Sequence, residues 1–187
     1  MKFSMLKYAA VALATHCSSV LSQATPQQVV DNINGLTQKS QALQAPAQSI
    51  TLVNTPLIVI GQGPFPVIIR GFVDIVNTAN VYIQSMQGMA PVPAGAKSDA
   101  IFDAFRVFVH VHQQLLNILI GKAGLLQNVP VIGPPVASVL RQVESVVDTI
   151  AFGLIDTVES RAADLHQQAA SLGATLDVCI EKYEGIA

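Results

Sequence analysis

The stretch that decides the fold is residues 40–69, SQALQAPAQSITLVNTPLIVIGQGPFPVII, thirty residues without a charged side chain. A membrane-spanning helix needs about 20 mostly apolar residues in one uninterrupted piece. The prolines Pro46, Pro56, Pro64 and Pro66 interrupt helical structure before that length is reached. We therefore expect short helical pieces that bury their apolar sides in the protein or around a ligand, and not an integral membrane protein.

The composition of the whole chain is unusually apolar: 51% of its 187 residues are hydrophobic, 12% are charged and none is tryptophan. This fits either a well-filled core under a neutral polar surface or a helical bundle that leaves an apolar tunnel for a long-chain ligand. Each buried CH₂ group contributes about 0.8 kcal/mol, so an acyl chain of roughly sixteen carbons gains on the order of 10 kcal/mol before ordering costs. A hydrogen bond to its carboxylate adds only about 1.5 to 3 kcal/mol, so chain burial would decide the affinity.

The first 22 residues have the pattern of a secretory signal peptide, because Lys2 and Lys7 precede an apolar run and small side chains surround Ser22. Cleavage after Ser22 or after Ala24 leaves suitable residues at the recognised positions, and Ser22 is favoured. It removes two lysines and no acidic residue, so the formal charge of −2 becomes −4 over residues 23–187. We expect one secreted domain, extracellular or in a cell wall, and the negative charge argues against nucleic-acid partners.

Local signals place the first two helices. The sequence Thr25-Pro26-Gln27-Gln28 supplies an N-cap residue, a proline at the first helical position and a glutamine at the third, so a helix begins there. Apolar spacing predicts a second, shorter helix from Pro46 to about Ile60, which Gly61-Gln62-Gly63-Pro64 ends.

Two longer helices are predicted to follow. One apolar stripe indicates a helix from about Phe65 to Met86, with polar residues on its opposite face. After an irregular connection rich in proline and glycine, Ser98 is expected to cap a fourth helix. That helix is apolar almost all round, apart from a narrow polar strip.

In the last third of the chain, residues 134–185, apolar residues recur alternately four and three positions apart. A single helix of about 50 residues would be ~75 Å long, whereas a compact domain of this size is about 40 Å across. A break is therefore expected between Phe152 and Ala163, with Gly153 and Gly173 as weak points. No stretch alternates with period two for long, so the predicted fold is all-α, an irregular bundle of five or six helices around an apolar central cavity.

Residues that often carry chemistry form no catalytic pattern here. His110 and His112 are two positions apart, so on a helix they point to different faces and cannot hold one metal ion together. His112 shares a seam with apolar residues and is predicted to be a hydrogen-bonded core or cavity residue. The glycines at 61 and 63 lack the strand and the Lys-Ser or Lys-Thr pair of a phosphate loop, and no nucleophile elbow occurs. We predict a non-enzyme without catalytic residues, metal or cofactor.

Cys179 is the single cysteine left after signal cleavage, because Cys17 lies within the signal. A lone cysteine in a secreted protein can link two chains. Cys179 lies in an apolar helical stripe, however, and free cysteines are among the most buried residues, so a buried and inert thiol is the favoured prediction.

Three segments carry a resemblance to a known family: LTQKSQALQAPAQ at 36–48, IGQGPFP at 60–66 and VPVIGPPV at 129–136. They resemble the fungal cell-wall galactomannoproteins, which include hydrophobic surface binding protein A and antigenic mannoproteins of moulds. RAADL at 161–165 and KYEGI at 182–186 extend the resemblance over the whole mature chain. It implies a secreted helical bundle that encloses fatty acids, or in other members a protein that adsorbs to hydrophobic surfaces and recruits hydrolases. The Ser/Thr-rich tail and lipid-anchor signal of wall-anchored members are absent from this sequence, so stable wall attachment is not expected.

These observations lead to one hypothesis and one rival. The hypothesis is a domain that binds a long-chain fatty acid or related lipid in its core, and the rival is a surface-active structural protein with cell-wall polysaccharide or a hydrophobic surface as its partner. The apolar residues expected to line the lipid site are Leu43, Leu57, Phe65, Phe72, Ile75, Phe105, Val109, Leu116, Val147, Ile150 and Leu154. The neutral polar residues expected near the lipid carboxylate are Gln38, Ser40, Tyr82 and His112.

Overall fold

The computed structural model of the chain describes residues 23–54, 57, 61–127, 129 and 132–186. The predicted signal peptide, 1–22, and part of the predicted second helix lie outside the described residues. The helices are α1 Pro26–Ala42, α2 Gln44–Gln48, α3 Pro64–Met86, α4 Ala96–Ala123, α5 Gly133–Thr157 and α6 Ala162–Glu184. Within the described part of the chain there is no strand, so the prediction of an all-α bundle is confirmed.

The five long helices form a closed ring. Going around it, α1 packs against α4, α4 against α6, α6 against α5, α5 against α3, and α3 against α1. The short helix α2 packs against α1, α3 and α4. Apolar faces of all five long helices meet inside the ring, so one continuous core runs through the bundle. None of the helices in the described part of the chain combines the length and apolar character needed to cross a membrane.

The start of α1 is the capping box that its sequence predicts. The side-chain hydroxyl of Thr25 accepts a hydrogen bond from the backbone N–H of Gln28 at 3.2 Å. The Gln28 side-chain oxygen accepts one from the backbone N–H of Thr25 at 2.8 Å. These two bonds satisfy donors that the first helical turn leaves free, which is why this boundary could be predicted.

The start of α4 differs from the prediction by three residues, because the N-cap is Gly95 and not Ser98. The helix begins at Ala96 rather than after Ser98, and the residue before it, Gly95, has a φ of +137° that a side chain would oppose. The Ser98 hydroxyl still closes the first turn, because it accepts from the Gly95 N–H at 3.0 Å and donates to the Gly95 carbonyl at 2.8 Å. Ser98 is therefore the third residue of the helix, and its side chain bonds back to the N-cap residue Gly95.

The second helix is much shorter than the sequence indicated. It ends at Gln48, and the prediction of a helix onward to Ile60 is wrong over residues 49–54. The Asn54 side chain folds back, accepting from the backbone N–H of Thr51 at 2.9 Å and donating to the Ser49 carbonyl at 2.6 Å. An asparagine that bonds the backbone in this way stabilises a turn at the expense of a helix.

The break between α5 and α6 lies at Val158, inside the predicted interval of 152–163. Gly153 and Gly173 lie within α5 and α6, so neither glycine is the weak point that was predicted. Arg161 holds the corner instead. Its guanidinium donates to Asp99 of α4 at 2.6 and 2.9 Å and to Asp164 of α6 at 3.0 Å. The corner of the α5–α6 hairpin is thereby tied to the first turn of α4.

Gly133 brings the start of α5 against the end of α6, and replacing it tests this packing. A Cβ atom at position 133 would lie 2.4 Å from the carbonyl oxygens of Tyr183 and Ile186, which are backbone atoms that cannot rotate away. We expect Gly133→Ala to lower the free energy of unfolding by about 1 to 3 kcal/mol in urea denaturation.

The matched control is Gly173→Ala, because a Cβ atom at that position in α6 meets nothing within 4 Å. Alanine has the higher helix propensity, so this variant should gain about 0.5 to 1 kcal/mol. Equal effects of the two substitutions would contradict the close approach at Gly133.

Candidate functional site

Two polar side chains inside the ring are paired with each other, Ser40 of α1 and His112 of α4. Both are completely buried, and the Ser40 Oγ lies 2.8 Å from the His112 Nδ1. Both residues were predicted to lie at the lipid site, and the prediction that His112 is a hydrogen-bonded core residue is confirmed. The pair joins two helices that are neighbours in the ring.

The Ser40 hydroxyl has one proton and two partners, the Leu36 carbonyl at 3.0 Å and the His112 Nδ1 at 2.8 Å. A carbonyl can only accept, so both contacts are hydrogen bonds when Ser40 donates to Leu36 and His112 donates from Nδ1. We assign this tautomer to His112 because it satisfies both bonds. The Nε2 atom is then an acceptor, and among the described residues it has no hydrogen-bond partner. A buried polar atom without a partner costs about 1 to 3 kcal/mol.

Aromatic rings surround the histidine. The Phe72 ring of α3 meets it edge-on, with centroids 6.1 Å apart, and the Phe108 ring of α4 lies at 5.4 Å. Burial among such groups disfavours the charged imidazolium and lowers the pKa of His112 to about 4. The imidazole is therefore neutral at neutral pH.

Two further polar groups on α6 face α4, and both have partners. The Cys179 thiol lies 4.0 Å from the Leu116 carbonyl, and the Tyr183 hydroxyl donates to the Leu119 carbonyl at 3.1 Å. Burial raises the pKa of Cys179 to about 12, so the prediction of a buried thiol is confirmed. The pKa of Tyr183 is raised as well, mainly by burial and to a smaller extent by the neighbouring Cys179. Both groups are uncharged at physiological pH.

The structure brings most of the predicted site residues into one core. The buried apolar ones are Leu43, Phe65, Phe72, Ile75, Phe105, Val109, Leu116, Val147, Ile150 and Leu154. Tyr82 is half-buried against α1, near Gly35. Gln38 is exposed on α1 and Leu57 is 40% exposed, so these two lie outside the core.

Phe108 is a core contact of His112 that the sequence reasoning did not place at the site. It lies one helical turn before the histidine, and this spacing puts both side chains on one face. That spacing was the signal that could have identified it.

The interior around His112 is closed by side chains. His112 and its neighbour Phe72 have no accessible surface and its neighbour Phe108 is 2% exposed, so no water-sized space adjoins the imidazole. Clefts open instead at the surface, one of about 260 Å³ between the first turns of α1 and α4 and one of about 180 Å³ between α5 and α6. The predicted tunnel is therefore filled at the level of His112, and a ligand that reaches Nε2 must move these rings apart.

The buried histidine predicts a loss of stability in acid. In the unfolded chain its pKa is 6.5 and in the folded protein it is about 4, so the unfolded state binds the proton first as the pH falls. The free energy of unfolding should be at its full value above pH 6.5 and decrease by about 3 kcal/mol on reaching pH 4. Urea denaturation at several pH values measures this decrease.

His112→Leu should lose most of this pH dependence, because leucine has no proton to bind. His110→Leu is the matched control, since His110 lies two residues away on the exposed side of α4. An equal pH dependence in both variants would show that His112 does not cause the acid sensitivity.

Comparison with known proteins finds solved structures with a similar helical fold. No protein-family model matches the chain, and no curated protein matches its sequence. Ligand binding domain 1 of the Penicillium marneffei MP1 protein, complexed with arachidonic acids, has a similar structure with a TM-score of 0.66. The sequence identity is 18%, and the match covers 84% of this chain and 95% of that one.

The structure of Afmp4p in complex with palmitic acid is similar as well, with a TM-score of 0.65 and 12% identity. This match covers 85% of the present chain and 99% of the Afmp4p chain. The chain therefore has the helical fold of the MP1 domain and of Afmp4p, as its resemblance to fungal mannoproteins predicted.

Proposed function

We propose that this chain is a secreted, non-enzymatic carrier that binds a long-chain fatty acid in the interior of its helical ring. The observation that carries the proposal is the completely buried His112, whose Nε2 atom has no partner among the described residues. A lipid headgroup that bonds to Nε2 would remove the cost of that unpaired atom. The two proteins of similar fold, one complexed with arachidonic acids and one with palmitic acid, support this choice of ligand.

The acyl chain would lie among the apolar side chains that converge inside the ring. Phe72 and Ile75 of α3, Phe105 of α4 and Val147 and Ile150 of α5 present a core without charge. Because side chains fill this core, a bound lipid has to separate the helices, and part of the energy of chain burial is used for that separation. The helices can separate while each keeps its own backbone hydrogen bonds, since those bonds lie within the helix.

The place of action is also part of the proposal. The predicted signal peptide and the resemblance to cell-wall galactomannoproteins support secretion to the extracellular space or the cell wall. A wall polysaccharide could serve as a further partner there, and the formal charge of −4 after cleavage keeps the protein away from anionic surfaces.

Solvent extraction of the purified protein followed by mass spectrometry tests the proposal. We expect a co-purified fatty acid, and saturable uptake of labelled palmitate by the delipidated protein. His112→Leu should weaken palmitate binding by about tenfold, which corresponds to one hydrogen bond of about 1.4 kcal/mol. His110→Leu is the control and should bind like the parent protein. A protein that carries no lipid and takes up no palmitate would refute the proposed function.

Adsorption to hydrophobic surfaces is the second candidate function, and one observation favours it. Leu52 and Val53, in the turn after α2, are 65% and 88% exposed, and Phe152 on α5 is 64% exposed. Large apolar side chains in water can attach a protein to an oily surface.

This second function predicts that Leu52→Ser combined with Val53→Ser lowers adsorption to hydrophobic beads, because the substitutions remove two strongly exposed apolar side chains. Palmitate uptake should be unchanged, since neither residue lies in the core. Equal adsorption of the parent protein and the double variant would show that Leu52 and Val53 do not attach the protein to the beads.

A further inference from the structure

The proton positions at the Ser40–His112 pair determine which headgroup the core can accept. In the arrangement that satisfies both hydrogen bonds of Ser40, its hydroxyl donates to the Leu36 carbonyl, His112 donates from Nδ1 and Nε2 presents a lone pair. A lone pair attracts a hydrogen-bond donor and repels a carboxylate oxygen, which is itself only an acceptor. An ionised fatty acid therefore gains nothing from this atom, whereas an O–H group does.

The charges around the core supply no counter-ion for a carboxylate. Facing the histidine ring are Ser40 from α1, Phe72 from α3 and Phe108 from its own helix, and all three are neutral. The buried α6 groups that contact α4 are the Cys179 thiol and the Tyr183 hydroxyl, which burial keeps protonated. Ser171 and Thr175 of α6, which accept from Gln113 of α4, are neutral.

The charged groups of the helices around the ring lie towards its outside. Lys39 of α1 is paired with Asp74 of α3 at 2.5 Å, and both are partly exposed. On α5, Glu144 and Asp148 face Asp177 of α6. Desolvation, and then repulsion from Asp177, raise the pKa of Glu144 and of Asp148. His110 of α4 is exposed and contacts Gln114, while Gln44 of α2 donates to the Val111 carbonyl. The half-buried Lys122 of α4 donates to the Ile50 carbonyl, and Arg161 is bonded to Asp99 and Asp164. The described contacts of the His112 ring are neutral, so a carboxylate there would be costly to desolvate.

We infer that the core site selects lipids whose headgroup is uncharged and donates a hydrogen bond to the His112 Nε2, namely an undissociated fatty acid or a fatty alcohol. The inference rests on the proposed function and defines its ligand more closely. A free fatty acid has a carboxyl pKa of about 4 to 5, so near neutral pH it is ionised in water. It must take up one proton from the solvent as it binds, and that proton then lies between its carboxyl oxygen and Nε2.

Three ligands with the same sixteen-carbon chain test the inference on the full mature protein: palmitic acid, hexadecanol and methyl palmitate. Below the concentration at which they self-associate, palmitate affinity should fall about tenfold per pH unit from pH 6 to pH 8, because one proton is bound with the ligand. Hexadecanol should bind with the same affinity across this range. Methyl palmitate, which has no proton to donate, should bind about tenfold more weakly than hexadecanol.

Calorimetry in buffers with different ionisation enthalpies should show the uptake of one proton per palmitate and none per hexadecanol. Equal palmitate affinity at pH 6 and pH 8, or equal affinity for the ester and the alcohol, would overturn the inference and leave lipid binding intact. If none of the three ligands binds, the proposed function itself fails.

A readout that does not depend on measured affinities is the ¹⁵N NMR spectrum of His112 in the parent protein. We expect the Nδ1–H tautomer between pH 6 and pH 8, and a shift of the Nε2 resonance on addition of hexadecanol. The Nε2–H tautomer would overturn the inference, because that atom would then suit a carboxylate. In Ser40→Ala the Nδ1 proton loses its acceptor, so both tautomers become available and the decrease of palmitate affinity with pH should become shallower.

Discussion

The interior of this protein depends on the hydrogen bond between Ser40 and His112, which are 72 residues apart in sequence. In an apolar core two polar side chains must find each other, because either one alone would be buried without a partner. The bond requires that Ser40 on α1 and His112 on α4 face each other. It therefore constrains the rotation of α1 about its own axis relative to α4. It also leaves Nε2 as the unpaired polar atom of the described core.

The helices were predictable wherever local sequence determines them. The capping box at Thr25, the apolar stripe of α3 and the break before Ala163 depend on neighbours within a few turns, or on the length that a compact domain allows. The second helix was predicted too long because apolar spacing continues past Gln48, whereas the Asn54 side chain closes a turn there. Spacing identifies which residues are apolar but does not show whether a polar side chain will compete for the backbone.

The burial of most of the predicted residues could be inferred from the sequence, but the pairing of Ser40 with His112 could not. His112 was assigned to an apolar seam because of its neighbours on the helix, and the structure buries it there. Its partner could have been Gln38, Ser40 or Tyr82, since all three are neutral and polar and lie on or next to an apolar stripe. The choice depends on how α1 is rotated against α4, which sequence spacing cannot give. Gln38 is two positions from Ser40 and therefore faces away from it, towards solvent.

The unpaired nitrogen and the closed ring are the two features of the structure on which the proposed binding role rests. A bundle selected for stability alone is better served by leucine than by a histidine with an unmet hydrogen bond, because leucine needs no partner. In a ring each long helix packs against two neighbours, so the interior can widen without the loss of any helical backbone bond. The uncharged stretch 40–69 contributes Leu43 and Phe65 to that interior without bringing a charge with them. An uncharged lipid with one hydrogen-bond donor would therefore supply the partner that the His112 Nε2 lacks. Its acyl chain would enter as the helices of the ring move apart.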